Sequence, residues 1–258
     1  MRDPAAFRSG HLPTDHFDRR FSADNVAFWV PLIVEAARIE AGSRVLDVGC
    51  GTGGFSHAIA AATAARVVGY ELSEPFLERA RSLPPPPRGS VEWVAGDAEA
   101  LPFPDGSFDR VLLSLVLHQL RRPQAALAEA RRVLDADGVV LVRTIAPEDV
   151  ADRVPERYLP AMAAADAARL PSVATVETWL SEAGFGAART TRRLRNKELR
   201  VDEQADELLT EARFRYPFIG CAELDEAVRL MRADAARAAG RWIDPRPTYL
   251  VAAACYSP

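Results

Sequence analysis

The stretch VLDVGCGTGG at residues 45–54 decides the architecture of this 258-residue chain. Its first residues form a short apolar run that is typical of a buried strand, and an Ala-rich helical segment over 54–65 follows. Alternating glycines between a strand and a helix let the backbone turn tightly and let a ligand approach the main chain. We therefore expect a strand–loop–helix unit that binds a ligand, in preference to a glycine-rich connector that binds nothing.

The same alternation continues through the middle of the chain. After the first strand, 44–48, the pattern predicts strands at 67–71, 91–95, 108–115 and 139–143, with helices at 73–82 and 123–134. Strands that alternate with helices indicate βαβ units and a parallel sheet. Nearly continuous Val and Leu runs fit strands that are covered on both faces.

The two ends of the chain carry extra segments. A helix is expected from Ser22 to about Ile39, and beyond strand five the pattern predicts helices at 147–170, 176–183, 201–213 and 224–239 and strands at 188–194 and 249–255. We interpret residues 1–258 as a single domain. Within it, 1–40 is an N-terminal helical segment, and 146–172 and 200–241 are helical insertions.

Composition narrows the class of protein. Hydrophobic residues make up 48% and charged residues 26% of the chain, which argues against disorder and against a small disulfide scaffold. The net charge of −4 offers no positive field for nucleic acid or for an anionic membrane surface. Three cysteines without metal-ligand spacing, and no apolar run long enough for a leader or a membrane span, predict a metal-free cytoplasmic protein.

Three carboxylates limit the class of ligand that the glycine loop can bind. The glycines alone satisfy G-x-G-x-x-G, which nicotinamide and flavin enzymes share. Asp47, two residues before the first glycine, would repel a pyrophosphate but suits a ligand with an ammonium group. Glu71, at the end of the second predicted strand, can accept both hydroxyls of a ribose, and Asp97, after the third, can accept an adenine amine.

The runs VLDVGCGTGG, VVGYELSEPFLERAR and VAGDAEALPFPDGSFDRVLLSLVLHQL resemble the class I S-adenosylmethionine-dependent methyltransferases, nearest to their small-molecule branch. The likeness covers roughly Arg44 to Arg143. It implies a Rossmann-like, seven-stranded, mostly parallel sheet with helices on both faces and an antiparallel last strand, for which 249–255 is the candidate. The cofactor would be S-adenosyl-L-methionine, its product S-adenosyl-L-homocysteine, with no metal.

The resemblance also implies site residues. The methionine part of the cofactor would be lined by the loop and the acid before it, and the ribose and adenine by residues after strands two and three. The cofactor residues implied are Arg20, Asp47, Gly49, Cys50, Gly51, Gly53, Glu71, Leu72, Asp97, Ala98, Ser114 and Leu115. Cys50 is expected to be a small filler in the loop, not a nucleophile.

His118 follows strand four, where similar enzymes border the methyl-transfer site. A neutral imidazole there could take a proton from a hydroxyl or an amine, and the alternative is a histidine that only packs and hydrogen-bonds a loop. Arg20 could pair with the cofactor carboxylate, or stand in a solvated turn. Acceptor contacts are assigned to Phe17, Trp29, Tyr158, Arg215 and Tyr216, and the inserted segments are expected to form a lid over the strand-four end of the sheet.

The leading hypothesis is therefore in-line methyl transfer to a small organic molecule, in the biosynthesis of a specialised metabolite, by a monomer or homodimer that binds neither nucleic acid nor membrane. Two alternatives stay open. One is a methyltransferase that acts on RNA or protein, and the other is a descendant that binds the cofactor without methylating, such as a cyclase. A nicotinamide oxidoreductase is disfavoured by Asp47 and by the order of the motifs.

Overall fold

A computed structural model describes residues 22–200, 205, 208, 216, 218–237 and 241–255 of the chain. The chain is divided into two compact units. The first comprises Met1–Thr144, Val173–Thr191 and Leu250–Pro258, and the second comprises Ile145–Ser172 and Arg192–Tyr249. The expectation that residues 1–258 form one domain with inserted segments stays a prediction.

Seven strands form one sheet. They are β1 Arg44–Val48, β2 Arg66–Glu71, β3 Ser90–Ala95, β4 Phe108–Ser114, β5 Leu134–Thr144, β6 Arg189–Arg200 and β7 Arg241–Ala254. Their order is β3-β2-β1-β4-β5-β7-β6, with parallel pairing from β3 through β5 and an antiparallel last strand. The Rossmann-like fold with seven strands is thereby confirmed.

Helices connect most of these strands. They are α1 Ala23–Ala37, α2 Gly54–Thr63, α3 Glu74–Arg81, α4 Pro123–Val133, α5 Val154–Tyr158, α6 Pro160–Arg169, α7 Val173–Glu182 and α8 Cys221–Arg237. Short 3-10 turns cover Leu117–Gln119 and Pro147–Asp149. Within the described ranges, no helix is both long and apolar enough to cross a membrane.

The core of the first unit lies against both faces of the sheet. Val45 and Leu46 are adjacent in β1 and both fully buried. Since successive strand residues point to opposite faces, both faces of β1 are covered. On one face, α1 and α2 bring Trp29 and Ile59 into a single apolar cluster with Val45.

The second unit has its own core. Its apolar cluster joins side chains of α5 and α6 with side chains of α8 and of the preceding segment. The members are Val154, Leu159, Met162, Leu208, Tyr216, Leu224, Ala227 and Met231. Buried charges accompany it: the fully buried Asp244 accepts a hydrogen bond from the Val154 backbone N–H at 2.9 Å.

Candidate functional site

The glycine loop leaves β1 and enters α2 in a conformation that few residues other than glycine adopt. Gly49, Gly51 and Gly53 have φ values of 72°, 58° and 81°, in the left-handed region. A Cβ at Gly49 would also come within 2.5 Å of the Val116 side chain. The predicted loop therefore depends on its glycines both for the turn and for space.

Asp47 ends up buried at the base of this loop, with 3% of its surface exposed. Its Oδ2 accepts a hydrogen bond from the Ser56 hydroxyl at 2.6 Å. Burial raises the pKa of Asp47 to about 6, the Ser56 hydrogen bond and the charge of Arg143 lower it, and the charge of Glu71 raises it. At neutral pH the carboxylate is thus mostly ionised, as a partner for an ammonium group must be.

Glu71 connects the end of β2 to the glycine loop. Its Oε2 accepts from the Gly51 backbone N–H and its Oε1 from the Ser73 N–H, each at 3.0 Å. A carboxylate has about four lone-pair sites, so two remain for a ligand. The acid predicted to bind ribose is therefore held in place by backbone donors and keeps acceptor capacity.

The turn after β3 is ordered by Asp97, whose Oδ1 accepts from the Glu99 N–H at 2.9 Å. The neighbouring Ala98 is buried, and the Tyr70 hydroxyl donates to the Asp97 carbonyl at 3.3 Å. Leu72, after β2, is 72% exposed. An apolar side chain left open to solvent beside Glu71 is suited to cover a flat ring.

The end of β4 carries local strain. Leu115 has φ of 57°, which costs an L-residue with a Cβ of order 1–2 kcal/mol. Its N–H donates to the Arg143 carbonyl at 2.8 Å, which ties the ends of β4 and β5 together. His118 is half-buried in the 3-10 turn that follows. Such strain is often retained at functional sites, because the surrounding structure must support it.

Arg143, at the end of β5, was not assigned a role from the sequence. It is 6% exposed, and its guanidinium carbon lies 4.2 Å from the centroid of the Trp29 ring and 5.1 Å from that of Phe55. Its Nη1 donates to the Ser114 hydroxyl at 3.3 Å. In the sequence, Arg143 is visible as a charged residue at the end of a predicted strand. Its burial among aromatic rings depends on the packing of α1 and α2.

Two other loop residues are also buried. Burial and the charges of Asp47 and Glu71 raise the pKa of the Cys50 thiol well above its usual range, which opposes a thiolate. Thr52 is 2% exposed, and within the described part of the chain its hydroxyl has no hydrogen-bond partner. A buried hydroxyl in that state suits a water or a ligand, a role that no pattern in the sequence indicates.

Of the five residues predicted to contact the acceptor, one lies in the first unit, two lie in the second and the others lie outside the described residues. Trp29 is buried in the first unit under Arg143. In the second unit, the Tyr158 hydroxyl donates to Asp234 at 2.9 Å, and the buried Tyr216 hydroxyl donates to Asp166 at 2.6 Å. Acceptor contact by these three side chains stays a prediction. Phe17, Arg20 and Arg215 lie outside the described residues.

No metal cluster is found in the ranges that the structure describes, where no three or more His, Cys, Asp and Glu side chains are grouped to hold an ion. That the reaction needs no metal stays a prediction.

Comparison with known proteins connects this site to a family. The family described as "Methyltransferase domain" matches residues 46–142, from β1 into β5. The demethylmenaquinone methyltransferase of Renibacterium salmoninarum is 40% identical over 114 residues, which are 44% of this chain and 46% of that protein. The chain thus matches about half the length of that relative.

A longer match exists to the demethylmenaquinone methyltransferase of Clavibacter sepedonicus, 34% identical over 171 residues, which cover 65% of this chain and 69% of the relative. A solved structure from Anabaena variabilis, described as a methyltransferase from an antibiotic biosynthesis pathway, shares the fold. Its TM-score is 0.71 at 22% identity, over 87% of this chain and 96% of that one.

The glycine loop, its acid and the strands β2 to β4 fall inside the matched region, and the relative from Clavibacter is matched over more than two thirds of its length. The chain therefore belongs to the class I S-adenosylmethionine-dependent methyltransferases.

Proposed function

We propose that the chain binds S-adenosylmethionine at the carboxyl ends of β1 to β4 and transfers its methyl group to a small organic molecule. The observation that carries this proposal is the position of Glu71. Its carboxylate is fixed by the Gly51 and Ser73 backbone donors and keeps lone pairs for two neighbouring hydroxyls. That arrangement suits a ribose beside a loop whose main chain a ligand can approach.

The other groups fit the remaining parts of the cofactor. Asp47 would hold the ammonium group of its methionine end, in a buried setting where a charge pair is little screened by salt. Asp97 and Ala98 would border the adenine, with Leu72 covering its face. Gly49 and Gly53 keep the loop free of side chains that would fill the space.

When bound, S-adenosylmethionine supplies a methyl group that its positive sulfur already activates. The work left to the protein is to hold the acceptor in line and to exclude water. Ser114, Leu115 and His118 stand at the strand end where the acceptor would meet the cofactor. If the acceptor atom keeps its proton, the His118 imidazole is the candidate group to take it.

A small-molecule acceptor is supported by the two relatives, whose names give demethylmenaquinone as their substrate. The acidic net charge of −4 also gives nucleic acid no general attraction. For this chain we propose a specialised metabolite. Its selection would come from the segments 146–172 and 200–241, because the sheet and the glycine loop are common to the family.

Calorimetry with S-adenosylhomocysteine tests the cofactor site. Glu71→Ala should weaken binding by roughly 30- to 1000-fold, since two charge-assisted hydrogen bonds are worth about 2–4 kcal/mol. The affinity of Glu71→Gln, which keeps one oxygen acceptor, should lie between those of Glu71→Ala and the wild type. The control is Glu78→Ala, an exposed acid of α3 that should leave affinity unchanged. Equal affinity for Glu71→Ala and wild type would reject the ribose assignment.

Labelled methyl transfer separates the functional alternatives. The protein is incubated with cofactor labelled in its methyl group and with small-molecule extracts, total RNA or total protein. Label in a small molecule supports the proposal, and label in RNA or protein replaces it with the macromolecular alternative. Tight cofactor binding without transfer to any pool favours a non-methylating descendant such as a cyclase.

A further inference from the structure

Side chains from three strands line up on one face of the sheet, under α1 and α2. In the parallel register, Asp47 lies opposite Leu112, and Ser114 lies opposite Arg143. Because strand residues alternate between faces, Asp47, Ser114 and Arg143 share the face that Val45 presents to α1 and α2. The same three residues line one small pocket together with Phe55.

Arg143 is fixed in this row by contacts on several sides. The rings of Trp29 and Phe55 lie against its guanidinium, and Ser114 accepts from its Nη1. Arginine stays protonated under these conditions, so the contacts hold a positive charge at a set place inside the first unit. A buried cation of this kind is costly unless an anion is near.

Asp47 is the buried anion of the row. The groups that act on its carboxylate are the Ser56 hydroxyl, the like charge of Glu71 and the opposite charge of Arg143. The Cys50 thiol also senses Asp47 and Glu71, and stays protonated. Burial and Glu71 both oppose ionisation of Asp47, and Arg143 is the positive side chain that opposes them.

We infer that Arg143 is a positioning residue that keeps the Asp47 carboxylate ionised, so that it can pair with the ammonium group of an amino-acid-bearing cofactor. This inference rests on the proposed function, and adds to it a residue of β5 that acts on the cofactor through Asp47.

The consequence is a particular pH dependence of binding. Asp47 loses its charge as the pH falls through about 6, so the affinity for an ammonium ligand should decrease over the same range. We call this decrease the acid limb of the binding profile. Removing the positive charge of Arg143 raises the pKa of Asp47 further, since that charge favours the ionised form of the carboxylate. The limb should then move to higher pH.

The experiment measures S-adenosylhomocysteine affinity by calorimetry between pH 5 and pH 7, where an α-ammonium group stays mostly protonated. Arg143→Met, which keeps length and apolar contact, should move the midpoint of the limb to higher pH, beyond the error of the titration. For each unit by which it moves, the ionised fraction at pH 6, and hence the affinity, falls about fivefold or more. Arg143→Lys, which keeps the charge, should hold the wild-type midpoint.

Two further variants complete the test. Asp47→Asn should bind weakly with no acid limb, and adding Arg143→Met to it should change little. Arg143→Gln replaces Arg143→Met if the latter does not fold, as judged by far-ultraviolet circular dichroism. An unmoved limb in the neutral variants would overturn the inference, as would an equal loss of affinity at every pH, which indicates packing alone. Failure of wild type to bind at any pH would instead reject the proposed function.

Discussion

The indole ring of Trp93 fills the space left by two glycines. A Cβ added at Gly53 would come within 2.3 Å of Cη2 of the ring, and one at Gly69 would come within 2.4 Å of Cε3. Trp93 belongs to β3, Gly69 to β2 and Gly53 to the loop before α2. The position of the glycine loop is therefore set partly by a side chain two strands away.

Gly53→Ala should lower the unfolding free energy for two separate reasons. The left-handed φ of 81° costs about 1–2 kcal/mol for alanine. Displacing the ring of Trp93 adds about 1–3 kcal/mol, as in other overpacked cores. The matched control is Gly42→Ala, which has the same φ of 81° but nothing within 4 Å of the added Cβ. Urea unfolding of both variants measures the difference, and equal losses would show that Trp93 yields without cost.

Glu156 should make stability fall with rising pH. It is 7% exposed, and burial raises its pKa to about 7, although the charges of Arg153 and Arg246 lower it. A raised pKa means that the protonated form is favoured in the folded state. The stabilising contribution is thus complete below the ordinary pKa of Glu and is lost as the pH rises through about 7.

Glu156→Gln removes this dependence. Relative to the wild type, the unfolding free energy of the variant should rise by about 3 kcal/mol between pH 4 and pH 8. Glu226→Gln is the control, because Glu226 is an exposed acid of α8 that pairs with Arg229. Thermal unfolding across the pH range gives the comparison. A constant difference between Glu156→Gln and wild type would mean that folding leaves the pKa of Glu156 unchanged.

Tyr216 was expected to contact the acceptor, and its surroundings predict a stability effect that must be separated from that role. Tyr216→Phe leaves Asp166 with one donor fewer and should cost about 1–3 kcal/mol. Tyr216→Ala also opens a cavity and should cost about 3–5 kcal/mol. Phe218→Ala, at a ring that is 62% exposed, should cost less than about 1 kcal/mol. Chemical unfolding ranks the three, and a stable Tyr216→Ala would contradict the buried packing of this ring.

His118→Ala tests the proton-transfer hypothesis once an acceptor is known. If the imidazole is the base, turnover should fall about 100-fold while cofactor affinity stays similar. The pH–rate profile should also lose its acid limb. His57→Ala, in α2, is the control histidine. Turnover within a few-fold of wild type would show that His118 is not the base and serves only for packing in its 3-10 turn.

The parts of the fold that depend on local pattern followed from the sequence. β1 was predicted to the residue, and β2 and β3 to within one, because each is a short apolar run with clear ends. β5 begins at Leu134 instead of 139, because Leu134, assigned to the end of a helix, pairs with Phe108, and the register shifts before Arg110 pairs with Val139. β7 starts at Arg241 instead of 249, where Pro245 and Pro247 hide the strand pattern.

In the candidate site, too, some residues follow from local sequence pattern and others depend on packing. Asp47, Glu71 and Asp97 could be found from their places at or just beyond the carboxyl ends of strands, since the ends of parallel strands meet at one edge. Arg143 could not, because an arginine at a strand end is usually solvated, and its burial depends on rings from two helices. The helix predicted at 201–213 lies largely outside the described residues, which include only Ala205 and Leu208 of that span.

If the segments 146–172 and 200–241 select the acceptor, as proposed, the core of the second unit constrains any attempt to graft a new acceptor preference onto this chain. Val154, Leu159 and Met162 come from one stretch, whereas Leu224, Ala227 and Met231 come from α8, much later in the chain. Shuffling one stretch with a homologous protein would place foreign side chains against native ones, at a cost of about 1–3 kcal/mol for each misfit. Chimeras should therefore exchange both stretches together, and evolution of new preference along this lineage would favour paired over single replacements.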